Sequence, residues 1–222
     1  DAAFVVGADG AFSTVARCLG LNRDVTRGPA LDAEVEVVPE VYDAHNHIVT
    51  FNFFCLPHGY GWIFPKGQGL LSCGVCAWAG RPKLAGALDD FLARSLPPGG
   101  VRRVETYGHA IPLYSGARQI ATRRACLVGD AANLVDPVMG EGIGFALQSG
   151  ALAADVIAGL LDGGDTLPEA GCRAYQALIH DGLGARLDHL LRFVQIVFLG
   201  APELFYERFI LGENHRGGSD AG

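Results

Sequence analysis

Residues 126–144 read Cys-Leu-Val-Gly-Asp-Ala-Ala-Asn-Leu-Val-Asp-Pro-Val-Met-Gly-Glu-Gly-Ile-Gly, and no other stretch constrains the fold of this chain as strongly. An apolar strand ends at Gly129-Asp130, a small-residue turn follows, and Pro137 with three alternating glycines leads into an apolar helix starting near Ile143. Gly129 allows a sharp turn at the strand end, which leaves the Asp130 carboxylate free to accept hydrogen bonds from a polyol. Pro137 stiffens the approach. Gly140, Gly142 and Gly144, interleaved with Glu141 and Ile143, remove side chains where backbone N–H groups must come close to a ligand. Unpaired N–H groups at the helix start, with the positive end of its dipole, favour an anionic or electron-rich ligand edge. A glycine-rich strand-to-helix turn that binds nothing is the alternative.

The opening residues carry a second pattern. Ala2-Ala3-Phe4-Val5-Val6 is a short buried-strand run that ends in Gly7-Ala8-Asp9-Gly10-Ala11-Phe12-Ser13-Thr14, with Arg17 downstream. Taken alone this is also an ordinary type I turn with an Asp N-cap. Together, Gly7-Ala8-Asp9-Gly10 and the Gly129-to-Gly144 run resemble the flavin-contacting motifs of FAD-dependent oxidoreductases of the aromatic-hydroxylase fold. The resemblance implies that Asp130 binds the ribityl chain, that the Gly140–Gly144 turn faces the pyrimidine edge of the isoalloxazine, and that Asp9 sits near the ribityl and pyrophosphate. Phe12 departs from the small polar residue usual at its place.

A third segment narrows the family. Tyr60-Gly61-Trp62-Ile63-Phe64-Pro65, followed by Cys73-Gly74-Val75, is similar to the Tyr-x-Trp-x-Phe-Pro segment of geranylgeranyl reductases. Strand alternation puts Tyr60, Trp62 and Phe64 on one face as an aromatic stripe. Such a stripe suits a long hydrocarbon, or it is simply core. The resemblance implies an isoprenoid tunnel formed by Tyr60, Trp62, Phe64 and Pro65 beside the flavin, with NADPH or reduced ferredoxin as electron donor. It also brings His109, in Tyr107-Gly-His-Ala-Ile-Pro112, near the flavin as a candidate proton donor.

Flavoproteins of this fold begin with a βαβ unit of ~30 residues whose Gly-x-Gly-x-x-Gly turn holds the pyrophosphate. Nothing in this sequence fits. Gly140-Glu-Gly-Ile-Gly144 has its third glycine one place early and follows a loop, and Asp162 lies in a turn after a helix, so it is not the ribose ligand. The chain is therefore expected to be the C-terminal part of a longer polypeptide that lacks the ADP-binding half of the FAD site.

With 222 residues, half of them hydrophobic, the chain can bury a sizeable core, and its net charge of −7 argues against a nucleic-acid partner. The six cysteines are too sparse for a disulfide scaffold and point to a reducing, cytoplasmic setting. Cys73-Gly-Val-Cys76 has the spacing of a zinc half-site, but no second pair follows, so both read as core thiols. His45 and His47 lack a third ligand and are expected in an exposed strand connection, so no metal site is expected.

Periodicity gives an α+β map: strands over 33–38, 48–56, 61–65, 70–78, 101–113 and 125–128, and helices over 13–19, 83–96 and 143–161, the last apolar nearly all round and expected in the interior. The expected organisation is a partial FAD-binding α/β domain (1–28), an antiparallel β substrate domain (29–115), a return to the FAD-binding domain (116–165), a C-terminal helical region (166–212) and a disordered tail (213–222). In the helical region Leu187, Leu190, Leu191, Val194, Val197 and Phe198 recur at helical spacing over far fewer than the ~20 residues that cross a bilayer. They cover the sheet or seat at a membrane surface, which would make a peripheral membrane contact. The reading is an FAD-dependent reductase of isoprenoid double bonds. The alternatives are an aromatic monooxygenase of the same fold and a non-catalytic fragment.

Overall fold

The computed structural model describes residues 2–53, 55–80, 82–163 and 170–197. The chain opens with strand β1 (Val5–Gly7) and helix α1 (Thr14–Leu19). Ser13 caps α1, its Oγ accepting the Ala16 N–H at 2.9 Å. Strand β2 (Gly28–Val37) leads into helix α2 (Pro39–His45), and strands β3 (Thr50–Phe53), β4 (Gly59–Gly67) and β5 (Leu70–Ala77) follow. Helix α3 (Leu84–Ser95), strand β6 (Val101–Ile111) and strand β7 (Ala125–Leu127) precede three helices, α4 (Ile143–Asp162), α5 (Arg173–Ile179) and α6 (Ala185–Val197). The mixed α+β class is as expected from the sequence.

Two sheets organise the molecule. The larger is fully antiparallel in the order β3-β4-β5-β2-β6, so β2 pairs with both β5 and β6. One face of it carries Ala33, Val35, Ile63, Leu71, Cys73 and Val75, and these pack under Leu88 and Phe91 of α3 and Val41 of α2. The apolar 3.6-residue stripe of α3 meets the period-2 face of the sheet, which is why that half of the map was legible. The other face carries the aromatic residues and turns toward the second unit.

That second unit is built on a two-stranded parallel sheet, β1 with β7, in the register Gly7↔Leu127. Val128 N–H continues the pairing to Gly7 O at 2.9 Å, so the Gly7-Ala8-Asp9-Gly10 and Gly129-Asp130 motifs emerge side by side from the same end of the strands. Leu127, Phe145, Ala153, Tyr175, Ile179 and Leu187 form its core. A third cluster, with Tyr60, Trp78, Val135, Val138 and Val194, joins the two units.

Several expectations need correction. His45 lies in a helix rather than a strand connection: Pro39 stands at its start, where the missing N–H costs nothing, and Glu40 favours the first turn. His45 Nδ1 lies 2.8 Å from the Val41 carbonyl one turn back. Strand β2 starts at Gly28, five residues before the expected Ala33, because Pro29 falls where only the edge strand β6 faces it. Ile48 and Val49 lie outside β3 and are exposed. Helix α4 is not buried all round: Phe145, Ser149, Ala153 and Leu160 face the core, whereas Ile143 is 78% and Leu147 72% exposed. The i, i+4 stripe of Phe145, Ser149 and Ala153 packs toward the turn after β7 and toward α5, and the other apolar face stays outside.

In α6, Leu187 and Val194 are buried, whereas Phe193 and Ile196 are exposed. Phe198 and the tail from Glu213 to Gly222 lie outside the described residues. Cys73 and Cys76 fall in clusters on opposite faces of β5 and so cannot share a metal ion. Both are free thiols, pushed up to about 12 by burial, as inert core cysteines are.

Candidate functional site

Gly129-Asp130-Ala131-Ala132 form a single 3-10 turn directly after β7. Gly129 N–H donates to Ser149 Oγ on α4 at 2.9 Å, and this pins the turn to the helix it feeds. Asp130 is half-buried, and desolvation raises its carboxyl above the usual range, partly opposed by nearby His109. The loop that follows is closed by Asp136. Its Oδ1 accepts the N–H groups of Val138 (2.6 Å) and Met139 (3.1 Å), and its carbonyl accepts that of Gly140 (3.0 Å).

Pro137 sits inside this loop as expected. Gly140 is held at φ 67°, and a Cβ there would lie 3.0 Å from the Tyr60 hydroxyl, so both backbone angle and space demand glycine. Glu141 Oε1 accepts the Gly144 N–H at 2.6 Å, so in the ligand-free molecule Glu141 caps the start of α4. An acidic residue just before a helix finds the orphan donors itself unless a ligand displaces it.

Asp9 is likewise engaged locally. It accepts Ser13 Oγ–H at 2.5 Å and the N–H groups of Thr14 (2.7 Å) and Val15 (3.2 Å). The Ser13 bond above all holds its carboxyl below the usual range; desolvation opposes it, and the Val15 and Thr14 N–H groups add to the lowering. Asp9 thus anchors the start of α1 from the turn Gly7-Ala8-Asp9-Gly10. Phe12 is exposed, with the Arg27 guanidinium 5.0 Å above its ring.

Two adjoining cavities define the site. The first, about 310 Å³, is lined by His109, Ile111, Asp130, Val135, Gly140, Gly142, Ile143 and Ala146. Fold topology alone therefore brings His109 of β6 to Asp130. A Cβ at Gly142 would stand 3.1 Å from Asp130 Oδ1, which makes this a cradle that a side chain would close. The second cavity, about 360 Å³, is lined by Phe51, Tyr60, Trp62 and Phe64 with Asp32, Ser72, Ile111, Met139, Gly140 and Glu141. Ile111 and Gly140 belong to both walls.

The aromatic stripe is continuous, with ring centroids 6.0 Å apart for Tyr60 and Trp62 and 6.2 Å for Trp62 and Phe64; Phe51 of β3 adds a ring 5.3 Å from Phe64. Pro65 does not join it. By alternation it falls on the other face of β4, opposite the buried Leu71. The sequence reading missed Phe51, Ile111, Met139, Asp32 and Ser72, which come from five different segments. Gly74 could have been found: it pairs with Trp62, and a Cβ there would collide with Cε2, Cζ2 and Cη2 of the indole. The ring lies flat across β5 because Gly74 has no side chain.

No protein-family model matches the chain. It is 31% identical over 202 residues to a digeranylgeranylglycerophospholipid reductase of Methanocella arvoryzae, a match that covers 87% of this chain and 50% of the relative. Among solved structures it resembles a geranylgeranyl bacteriochlorophyll reductase-like protein from Thermoplasma acidophilum, with a TM-score of 0.67 and 27% identity over 86% of this chain and 51% of that one. A probable FAD-dependent monooxygenase from Pseudomonas aeruginosa shares the fold, with a TM-score of 0.56 at 22% identity over 84% of this chain and 54% of that one. The chain spans about half the length of the curated relatives it matches.

Proposed function

Because the chain belongs to the geranylgeranyl reductase family, we propose that it is the substrate-binding and flavin-facing part of an FAD-dependent reductase that saturates isoprenoid carbon–carbon double bonds. The observation that carries this reading is the shared wall of the two cavities at Ile111 and Gly140: an apolar chain lying along Tyr60, Trp62 and Phe64 ends beside the Asp130 cradle. Bound there and reduced by an external electron donor, the flavin would supply the hydride for the double bond, chemistry the protein itself cannot provide.

The residues present fit such a group. Asp130 would hold the ribityl hydroxyls by charge-assisted hydrogen bonds, and the side-chain-free Gly140 and Gly142 would let the ring edge approach the loop. Glu141 would have to give way, or keep its cap, at the start of α4. The aromatic wall excludes water and aligns the chain over the reacting atoms. His109, on the cradle wall, is the side chain we assign to hold the proton that completes reduction. The electron donor we assign, NADPH or reduced ferredoxin, rests on the family likeness.

The test uses a protein of the relatives' length that contains this chain. Trp62→Ala should slow reduction of a geranylgeranyl substrate at least about tenfold, a loss of ~1.4 kcal/mol of binding or positioning, while bound flavin stays stoichiometric. Reduction at the parental rate would remove the groove from the mechanism.

A further inference from the structure

On the reading that the aromatic groove holds an isoprenoid, we infer that Lys66 receives a phosphate ester at the head of that chain and so fixes the direction in which the chain lies. The stripe of Tyr60, Trp62 and Phe64 is followed two residues later by Lys66, at the end of β4 where it turns into β5. Lys66 Nζ meets Glu34 Oε1 at 3.0 Å. Glu34 lies on the groove face of β2, because Asp32 lines the groove whereas Ala33 and Val35 are buried on the other face. The ammonium therefore stands on the same face as the rings, ~20 Å from Tyr60 at the rise of an extended strand. Tyr60 in turn is bonded to the Met139 carbonyl beside Gly140, which belongs to the wall shared with the Asp130 cradle. One face thus offers a cation at one end, aromatic rings along its length and the flavin-facing cavity at the other end.

Charge decides which end takes the head. Among the described residues the charged side chains lining the groove are Asp32 and Glu141, both acidic, so a phosphate is repelled from the groove floor and settles at the rim, where a cation stands. The Lys66 side chain is 47% exposed, and an exposed ion pair such as its contact with Glu34 is weak. An ammonium has three N–H donors; Glu34 occupies one and leaves the others for phosphate oxygens. Hydrogen bonding to Glu34 and then that carboxylate's charge raise the ammonium pKa above its usual value; desolvation opposes them, and Asp32 and Tyr107 add to the rise, so Lys66 stays charged. Asp32 itself accepts the Ser72 hydroxyl at 2.7 Å, and Ser72 accepts the Trp62 indole N–H at 3.2 Å, which holds the ring between the two ends. Glu34 competes with a phosphate for Lys66, so removing its charge should strengthen phosphate binding where removing that of Lys66 weakens it. With the head at Lys66, the double bonds far from the phosphate are the ones brought to the Asp130 cradle.

The purified 222-residue chain is titrated separately with geranylgeranyl monophosphate, geranylgeraniol and inorganic phosphate, and tryptophan emission, to which Trp62 in the groove wall contributes, reports occupancy without catalysis. The monophosphate should bind at least about tenfold more tightly than the alcohol. Lys66→Met, which keeps an apolar stem but removes the charge, should bring the two affinities within about threefold, and Glu34→Gln should widen their ratio. The alcohol's own affinity should stay the same in both variants. Inorganic phosphate should neither change the emission nor displace the prenyl phosphate at the concentrations that saturate the latter. A parental chain that binds the alcohol as tightly as the monophosphate overturns the inference with no variant needed. A ratio unchanged in Lys66→Met also overturns it and leaves the isoprenoid groove standing. Inorganic phosphate that competes as strongly as the prenyl phosphate overturns it too, by making Lys66 a site for free anions. A parental chain that binds neither prenyl ligand overturns the groove itself, and this inference with it.

Discussion

The Tyr60 hydroxyl donates a 2.6 Å hydrogen bond to the carbonyl oxygen of Met139, 79 residues further along the chain. It ties the first ring of the aromatic stripe to the loop that carries Gly140, and so sets where one cavity meets the other. Burial drives the phenol pKa well above its usual value, so the hydroxyl remains a donor across the physiological range. Tyr60→Phe should keep the ring and leave the half-buried Met139 carbonyl without this donor, at a cost of about 1 kcal/mol. Denaturant unfolding should show a lower midpoint with an unchanged slope. A midpoint equal to the parent's would mean the loop holds its position without this bond.

Gly74→Ala tests the seat of Trp62. The added methyl would enter the space of the indole, which must rotate away from Ser72. The expected cost is about 1–3 kcal/mol, as in other overpacked sites. Tryptophan emission should shift and geranylgeraniol binding should weaken. Parental emission would show that the ring does not lie across β5.

Asp130 carries a stability cost that depends on pH. Its folded pKa is raised, so the native state binds more protons than the unfolded chain between the ordinary aspartate pKa and the raised folded one. The protonated form is favoured below that window, and the advantage is lost as pH rises through the folded pKa. Asp130→Asn should therefore raise the melting temperature at neutral pH, and the gain should vanish below the ordinary aspartate pKa. In the longer flavin-loaded protein, Asp130→Ala should weaken flavin retention by roughly 1.5–3 kcal/mol if one charge-assisted bond is lost. A variant with the parent's pH–stability profile would sink the desolvation argument; full flavin retention would make Asp130 structural only.

Flavin retention by the chain itself is the simplest measurement. The sequence has no Gly-x-Gly-x-x-Gly turn between a strand and a helix to hold a pyrophosphate. The purified 222-residue chain should show no stoichiometric flavin absorption. A yellow preparation with one FAD per chain would mean that the Asp130 cradle suffices alone.

The sequence by itself determined the local grammar: the strand-turn-helix at Gly129 to Gly144, the glycine at Gly140, and the period-2 stripe of Tyr60, Trp62 and Phe64. These are legible because backbone angles and alternation act between near neighbours in the chain. Near-neighbour rules did not reveal that two of these groups also have local partners: Glu141 accepts the Gly144 N–H at the start of α4, and Asp9 accepts N–H groups at the start of α1. Only the tertiary structure decided that His109 meets Asp130, that Asp32 reaches Trp62 through Ser72, and that α4 leaves Ile143 and Leu147 exposed. Those relations depend on sheet order and register, in which strand β2 lies between β5 and β6, and register is set by the burial of whole faces rather than by any short run of residues.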